Sequence, residues 1–461
     1  MQTVGWRRVM RVLAVAGGFT AGQARSALAQ QDSTTPSVDE RLRDLDQQIR
    51  ILRRQRELER DSLEAVAEDR PKVIAGKEGF WLRSADGAFA LHVGGYIQAD
   101  SRTFLDDKAV SLNNVFLLRR IRPLFEGTLF KYFDFRILPD WGGGTAVIQD
   151  GYVAARVSQG LRLQAGKFKG PVGLERLQSA QDILFVERAF PSAVEPNRDL
   201  GFELTGDIGS TALHYDVGIF NGTADGGSVD TDVGDNKDGE GRLYVTPFTG
   251  SGIGLLEGLS LGAGGTIGEE HGTATAAGLA SYRTPGQNVF FSYRGDGTAS
   301  GTAVANGRRL RISPQVYWHI GPLGLLGEWI RSSQVVTREA TTATIGAKAW
   351  QALGSFALTG EAASYTGVRP KRPVDQKGGI GAIELVARYS ELKVGDEAFP
   401  TFADPAKSAQ KAKEWAVGLN WYPERRIKIA VNYGQTSFEG GGATGNREDE
   451  KALLTRFQVA F

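Results

Sequence analysis

Two hydrophobic periods divide the chain. Between residues 37 and 68 the positions Val38, Leu42, Leu45, Ile49 and Leu52 lie alternately four and three apart. Arg56 and Glu59 keep the register, and Leu63 and Val66 resume it. A mean repeat of 3.5 residues predicts a helix whose apolar seam meets a partner helix. Pro71 stops it. A lone helix this rich in charge is marginal in water, so sister subunits are the expected way to bury the seam. The two charged seam positions leave a solvated helical linker as the alternative.

From about Gly76 the period becomes 2. In the last segment Leu453, Thr455, Phe457, Val459 and Phe461 alternate with Leu454, Arg456, Gln458 and Ala460. Trp415, Val417, Leu419 and Trp421 alternate in the same way with Glu414, Ala416, Gly418 and Asn420, ahead of an expected tight turn at Tyr422-Pro423-Glu424-Arg425. Such strands can show one face to lipid and the other to water, with aromatics at their ends as interfacial girdles. The roughly 385 residues from Gly76 to Phe461 allow about 16 strands at about 24 residues per strand and connection. The expected fold is all-β: a transmembrane antiparallel β-barrel of about 16 strands, preceded by a short N-terminal coiled-coil helix. Alternation alone would also suit a soluble β-sandwich. The export leader, the number and length of the strands and the terminal amphipathic strand ending on Phe461 favour the barrel.

Composition agrees with export. Arg7, Arg8 and Arg11 precede an apolar run from Val12 to Phe19 and small residues ending Ala27-Leu28-Ala29, the pattern of a signal peptide cleaved after Ala29. The run is too short to span a bilayer, and no later stretch offers a transmembrane helix. The expected parts are therefore a signal peptide at 1–29, a periplasmic coiled-coil segment and linker at 30–75, and an outer-membrane barrel at 76–461. The chain has no Cys, hence no disulfides and no thiolate metal site. Of its 54 basic residues four arginines lie in the leader, leaving 50 against 53 acidic ones, a formal net charge of about −3. Any preference for anions must come from local placement of basic side chains.

Parity supplies that placement. Ile121, Phe125 and Leu129 fall on one face and Arg120, Arg122, Glu126 and Thr128 on the other. The charged face should be the lumen, because Arg or Lys facing lipid near the midplane costs roughly 2–4 kcal/mol. Arg136, Arg156 and Arg162 alternate with apolar neighbours in the same sense. The bland reading is that they only solvate the lumen and pair with acids such as Glu126 and Asp134.

Several segments together resemble the phosphate-selective porin O and P family: LHVGGYIQAD from Leu91, FLLRRIRPLFEGTLFKYFDFRI from Phe116, GKFKGPVGLERLQSAQDILFVERAFP from Gly166, RISPQVYWHIGPLGLLGEWIRS from Arg311, SFALTGEAASY from Ser355 and the closing strand. The resemblance implies a 16-stranded homotrimeric barrel drawing anions, phosphate above all, through a constriction lined by Arg and Lys. It makes Arg119 and Arg120 a basic pair at the narrowest point. It places Lys167, Lys169 and Arg176 where a strand leads into a loop folded into the lumen. Arg forks suit phosphate oxygens and Lys offers a point charge. Two departures stand out: no ladder of closely spaced arginines is legible, and His92 and Tyr96 occupy the first barrel strand where some members carry basic residues.

The expected function is thus passive diffusion of small anions such as phosphate or polyphosphate across the outer membrane. The expected partners are those anions, outer-membrane lipid, sister subunits and the cell wall through the coiled coil, with no nucleic acid. General small-solute passage and a structural barrel tethered to the cell wall are the alternatives. Gly258-Leu259-Ser260-Leu261-Gly262 spells G-x-S-x-G, but the hydrolase motif needs a strand-to-helix turn and this one sits in a Gly-rich strand. The four His, at 92, 214, 271 and 319, show no metal-binding spacing. Neither enzymatic activity nor a cofactor is expected.

Overall fold

A computed structural model describes residues 37–68, 70–76, 79–108, 112–158, 160–209, 213–230, 234–375 and 377–461. The expected leader at 1–29 lies outside them. The chain forms two compact units that divide between Glu68 and Asp69. In the first, a helix α1 spans Val38–Glu68. Ser37 and Glu40 cap it reciprocally: Ser37 Oγ accepts from the Glu40 amide at 3.3 Å, and the Glu40 carboxylate accepts from the Ser37 amide at 2.9 Å. This capping box satisfies two donors that a helix start leaves open. Val38, Leu42, Leu45, Ile49 and Leu52 are all exposed along α1.

The second unit is a closed, antiparallel, 16-stranded β-barrel. Its wall strands are β1 (Ala90–Leu105), β2 (Val115–Leu129), β3 (Phe133–Asp140), β4 (Val147–Ser158), β5 (Leu161–Lys169), β6 (Arg198–Ile208), β7 (Leu213–Phe220) and β8 (Asp238–Val245). They continue as β9 (Leu259–His271), β10 (Val304–Ile320), β11 (Leu323–Arg338), β12 (Thr341–Ala357), β13 (Ala382–Val394), β14 (Ala409–Glu424), β15 (Ile427–Gly442) and β16 (Glu450–Ala460). Each pairs with the next, and β16 closes on β1 from Lys451↔Leu105 to Ala460↔Tyr96. The even strand count returns both ends of the wall to one rim, called here the terminal end. The opposite rim is the loop end.

Closure extends one step past β16. Gly95 exchanges two backbone hydrogen bonds with Phe461, at 3.1 and 2.9 Å. Gly95 has φ near 145°, and a Cβ there would lie 2.4 Å from the Arg122 carbonyl oxygen, so the close approach of β2 requires glycine. Below this point the hairpin Lys72–Gly76 and Gly79–Arg83 continues the wall, pairing Phe80↔Val93 through Arg83↔Ala90. The lower end of β1 is thus covered instead of being left as an open edge.

Alternation sorts the two faces as the sequence pattern expects. Leu453 and Phe457 of β16, Trp415, Val417, Leu419 and Trp421 of β14, and Phe202, Val217 and Ile219 of β6 and β7 are exposed outward. Arg456, Gln458, Asn420, Glu414 and Asn432 are buried inward. One detail is corrected: the turn expected at 422–425 is displaced. Tyr422, Pro423 and Glu424 remain in β14, a register irregularity between Trp421 and Glu424 absorbs the proline, and Arg425-Arg426 make the link. Proline lacks the ladder donor, so a strand carrying one must bulge around it.

Several connections fold inward. One of them, residues 170–197 after β5, is strapped to the opposite wall. Gln98, Lys428, Asn420 and Arg388 donate to the carbonyls of Ala180, Ile183, Leu184 and Glu187, and the Val186 amide donates to Asn432 Oδ1. These bonds satisfy a buried loop backbone that has no ladder of its own. Leu174 and Phe185 pack with Tyr317, Leu326, Leu353 and Val386 of the wall. From the terminal end, residues 358–381 rise to meet this loop, where Tyr365 Oη donates to the Leu174 carbonyl and Gln178 Nε2 to the Tyr365 carbonyl. From the loop end, residues 272–303 descend, with Thr284 and Asn288 donating to Glu450 at 2.7 and 2.9 Å.

Candidate functional site

The inward loop separates two of the cavities in the lumen. The upper one, toward the loop end, holds about 730 Å³. The lower, toward the terminal end, holds about 470 Å³. Tyr96 lines the lower and Arg122 the upper, and a 2.9 Å hydrogen bond from Arg122 Nη1 to Tyr96 Oη marks the boundary.

Strict alternation would place Arg119 and Arg120 on opposite faces of β2. A bulge prevents this: Gln98 of β1 faces Arg120, whereas the next residue, Ala99, faces Leu118, leaving Arg119 extra. A bulge re-aims a side chain in this way. Both arginines therefore point inward to Glu187 of the inward loop. Arg119 Nε donates to Glu187 Oε1 at 2.5 Å, Arg102 approaches it at 3.1 Å, Arg120 at 3.5 Å and Arg456 at 4.0 Å. Burial alone would raise the Glu187 carboxyl, but the guanidiniums of Arg119 and Arg120 outweigh it and hold the group well below the usual carboxylate range.

Around this hub the other cations are oriented by carboxylates or carbonyls. Arg122 Nε donates to Asp140 Oδ2 at 2.7 Å, and Arg198 Nε to Asp150 Oδ1 at 2.9 Å. Arg188 donates to the carbonyls of Glu175 and Gln178, at 3.0 and 2.7 Å. Arg456 takes Asp100 in a bidentate pair at 2.7 Å. Eight arginines line the upper cavity against three carboxylates, Asp140, Glu187 and Asp225. The cavity wall is thus basic although the chain as a whole is nearly neutral.

Of the six residues expected at the site, Arg119, Arg120, Arg122 and Arg176 all line this cavity. Arg176 also donates to the Ser192 carbonyl. Lys167 and Lys169 are not brought to it. Lys167 pairs with Asp230 of the 221–237 connection. Lys169 donates to the Leu177 and Gln178 carbonyls at 3.2 and 2.8 Å, bracing the root of the inward loop. Arginine clustering absent from the linear sequence appears in space, since Arg102, Arg188, Arg198 and Arg283 join from other elements. Arg102 could have been found by parity, as it falls on the same face of β1 as Gln98 and Asp100. Glu187 and Arg188 lie in an irregular loop that carries no such signal.

Ser260 of the G-x-S-x-G string faces the lumen near the start of β9, and the strand runs on to His271 without a helix. His92 sits 3.2 Å from Glu126 and stacks on Trp81, and His214 lies between Asp207 and Asp216. Among the described residues no group of three or more His, Asp or Glu is arranged to hold a metal.

A closed barrel with an apolar outer face, a polar interior and a loop folded into its lumen defines a porin of the outer membrane. Residues 91–461 match the family described as phosphate-selective porin O and P, and the chain belongs to that family. Porin O of Pseudomonas aeruginosa is 23% identical over 431 residues, covering 84% of this chain and 92% of that protein. Two solved structures share the fold. OmpT of Vibrio cholerae in its trimer form has a TM-score of 0.51 at 9% identity, covering 81% of this chain and all of that one. An anion-selective porin from Comamonas acidovorans has a TM-score of 0.50 at 13% identity, over the same shares.

Proposed function

We propose that this porin passes small anions, phosphate or polyphosphate among them, by passive diffusion through the arginine-lined lumen. The observation that carries the reading is the eight-to-three excess of arginines over carboxylates in the upper cavity. Guanidinium forks held in place by carboxylates are pre-oriented for phosphate oxygens and lose little freedom on meeting them. The family description, and the word anion-selective in the name of the Comamonas neighbour, point the same way. Within this reading Arg119, Arg120 and Arg122 contact the anion, Arg176 adds to the field, and Lys167 and Lys169 hold the surrounding loops in shape. A general small-solute pore is the second reading, favoured by the direct pairing of Arg119, Arg122 and Arg198 with acids, which reduces the charge left for a solute.

The working form is a homotrimer whose α1 seams pack together on the periplasmic side, within reach of the cell wall, after removal of the leader at Ala29. The seam exposed within one chain supports this, and the Vibrio neighbour has a trimer form. The deciding experiment is the reversal potential of the purified protein in a planar bilayer across a KCl gradient, repeated with phosphate. Anion preference with block of the chloride current by phosphate supports the reading. Equal passage of both ions without block leaves the general pore.

A further inference from the structure

The lower cavity has its own charge balance, and one residue decides it. Arg136, Arg369, Arg425, Arg426 and Lys428 line it against two acids, Glu126 and Asp182. Glu126 is engaged, with His92 and Arg136 each at 3.2 Å. Asp182 is in no ion pair within 4 Å among the described residues. It sits on the inward loop and not on a wall strand, its amide bonded to the Ser179 carbonyl at 3.0 Å. It also lies beside the rising segment, since a Cβ on Gly367 would come within 3.9 Å of its carboxylate.

We propose that Asp182 is a specificity-determining counter-charge at the lower mouth, whose protonation sets how strongly this vestibule favours anions. The inference rests on the anion-passage reading and adds to it a second control point below the arginine hub. Every element packed around Asp182 presents a group that bears on it: Lys428 from β15, Lys169 from β5, Arg369 from the rising segment and Gln181 from its own loop. Tyr422 of β14 also faces it, but its hydroxyl donates to Glu384 at 2.9 Å. Burial raises the Asp182 carboxyl to about 6, against the lowering pull of Lys428, Lys169, Gln181 and Arg369. Above that value the carboxylate offsets one vestibule cation and repels a passing anion. Below it the group is neutral and that offset is lost.

Chloride is the probe, because it does not titrate and any pH dependence then belongs to the protein. The chloride-to-potassium permeability ratio of the full-length protein is read from reversal potentials between pH 5 and 8. In the wild type it should rise on acidification by about threefold to tenfold, the effect of one charge at a partly screened mouth. Asp182→Asn should hold the acidic wild-type value throughout. Arg369→Gln, at an exposed position, should lower the ratio and move the transition to higher pH by removing a facing cation. His92→Gln should keep the transition. An Asp182→Asn channel that tracks the wild type at every pH overturns the role of Asp182, even if both prefer chloride. A channel that prefers potassium in Asp182→Asn at pH 5 overturns the anion reading itself. Heat-shifted migration on gels establishes that each variant is folded.

Discussion

Replacing Arg119 and Arg120 together by Ala is the sharpest test of the upper site. Both guanidiniums lie within 3.5 Å of Glu187, with 26% of the Arg119 side chain and 4% of the Arg120 side chain exposed. A unit charge 4 Å from a bound anion is worth about 1 kcal/mol in water and about 4 kcal/mol at an effective dielectric constant of 20. Taking the lower figure for both charges, the double variant loses about 2 kcal/mol of anion binding, or about thirtyfold in affinity. The assay is the phosphate concentration that halves the chloride current, with the permeability ratio from reversal potentials as a second readout. Glu187→Gln supplies the opposite sign: it removes the acid that four arginines share, so block should strengthen about twofold or more while selectivity rises. Some of the wild-type preference should persist at 1 M salt, where the Debye length is about 3 Å, because these charges are buried. If the double variant blocks within twofold of the wild type, the two arginines only solvate the lumen, and Arg122 and Arg176 become the candidates.

Deleting Phe461 removes both backbone bonds to Gly95 and should reduce outer-membrane levels without reducing synthesis or export, as read by fractionation; normal surface levels would contradict that role. The mature N-terminus should be Gln30 by sequencing, and the unheated protein should run as an SDS-resistant oligomer. Paired Leu45→Asp and Leu52→Asp changes in the exposed α1 seam should weaken that oligomer, and a monomer in the unaltered protein by light scattering would sink the trimer. Asp225 accepts from Arg311 at 2.8 Å, Ser332 at 3.0 Å and Tyr282 at 2.9 Å. Asp225→Asn removes the nearer carboxylate from the fully buried Arg311, which keeps Asp238 at 3.6 Å, and loosens the joint acceptor of Ser332 and Tyr282, so connections 221–237 and 272–303 should become protease-sensitive and channel noise should rise; unchanged digestion would show that other bonds hold them.

The wall was legible because period 2 states which face each side chain takes, and the closing strand is the plainest case: Phe457 outward, Arg456 inward. The helix was legible for the parallel reason, its 3.5-residue seam starting at Val38 and Pro71 marking its end, whereas the capping box of Ser37 and Glu40 came from the structure. Parity failed to account for Arg119, because a bulge inserts one residue and no local residue type announces it. The turn after Trp421 misled for a related reason: Pro423 reads as a turn residue, yet a strand tolerates it where the register slips. The inward loop was placed only by resemblance. Its path depends on wall side chains more than 200 residues away, such as Asn432 and Asn420, and no sequence period encodes such bonds. The arginine cluster was hidden likewise, since its members come from β1, β2, β6 and two connections.

Those long-range bonds bear on selectivity as well as on shape. A buried ion pair adds little net stability, because desolvation consumes most of the attraction. What it does fix is position. The carbonyls of Ile183 and Leu184 and the amide of Val186 are tied to the neighbouring wall strands β14 and β15, which holds Asp182 at the lower cavity and Glu187 at the upper. One short stretch of loop therefore delivers both counter-charges to walls that are otherwise basic. Neutralising either acid changes the field an anion meets, and at Glu187 it also leaves the wall arginines Arg102 and Arg120 without their shared carboxylate. The balance of charge along this pore is set from the loop, and the wall supplies the excess that the loop subtracts from.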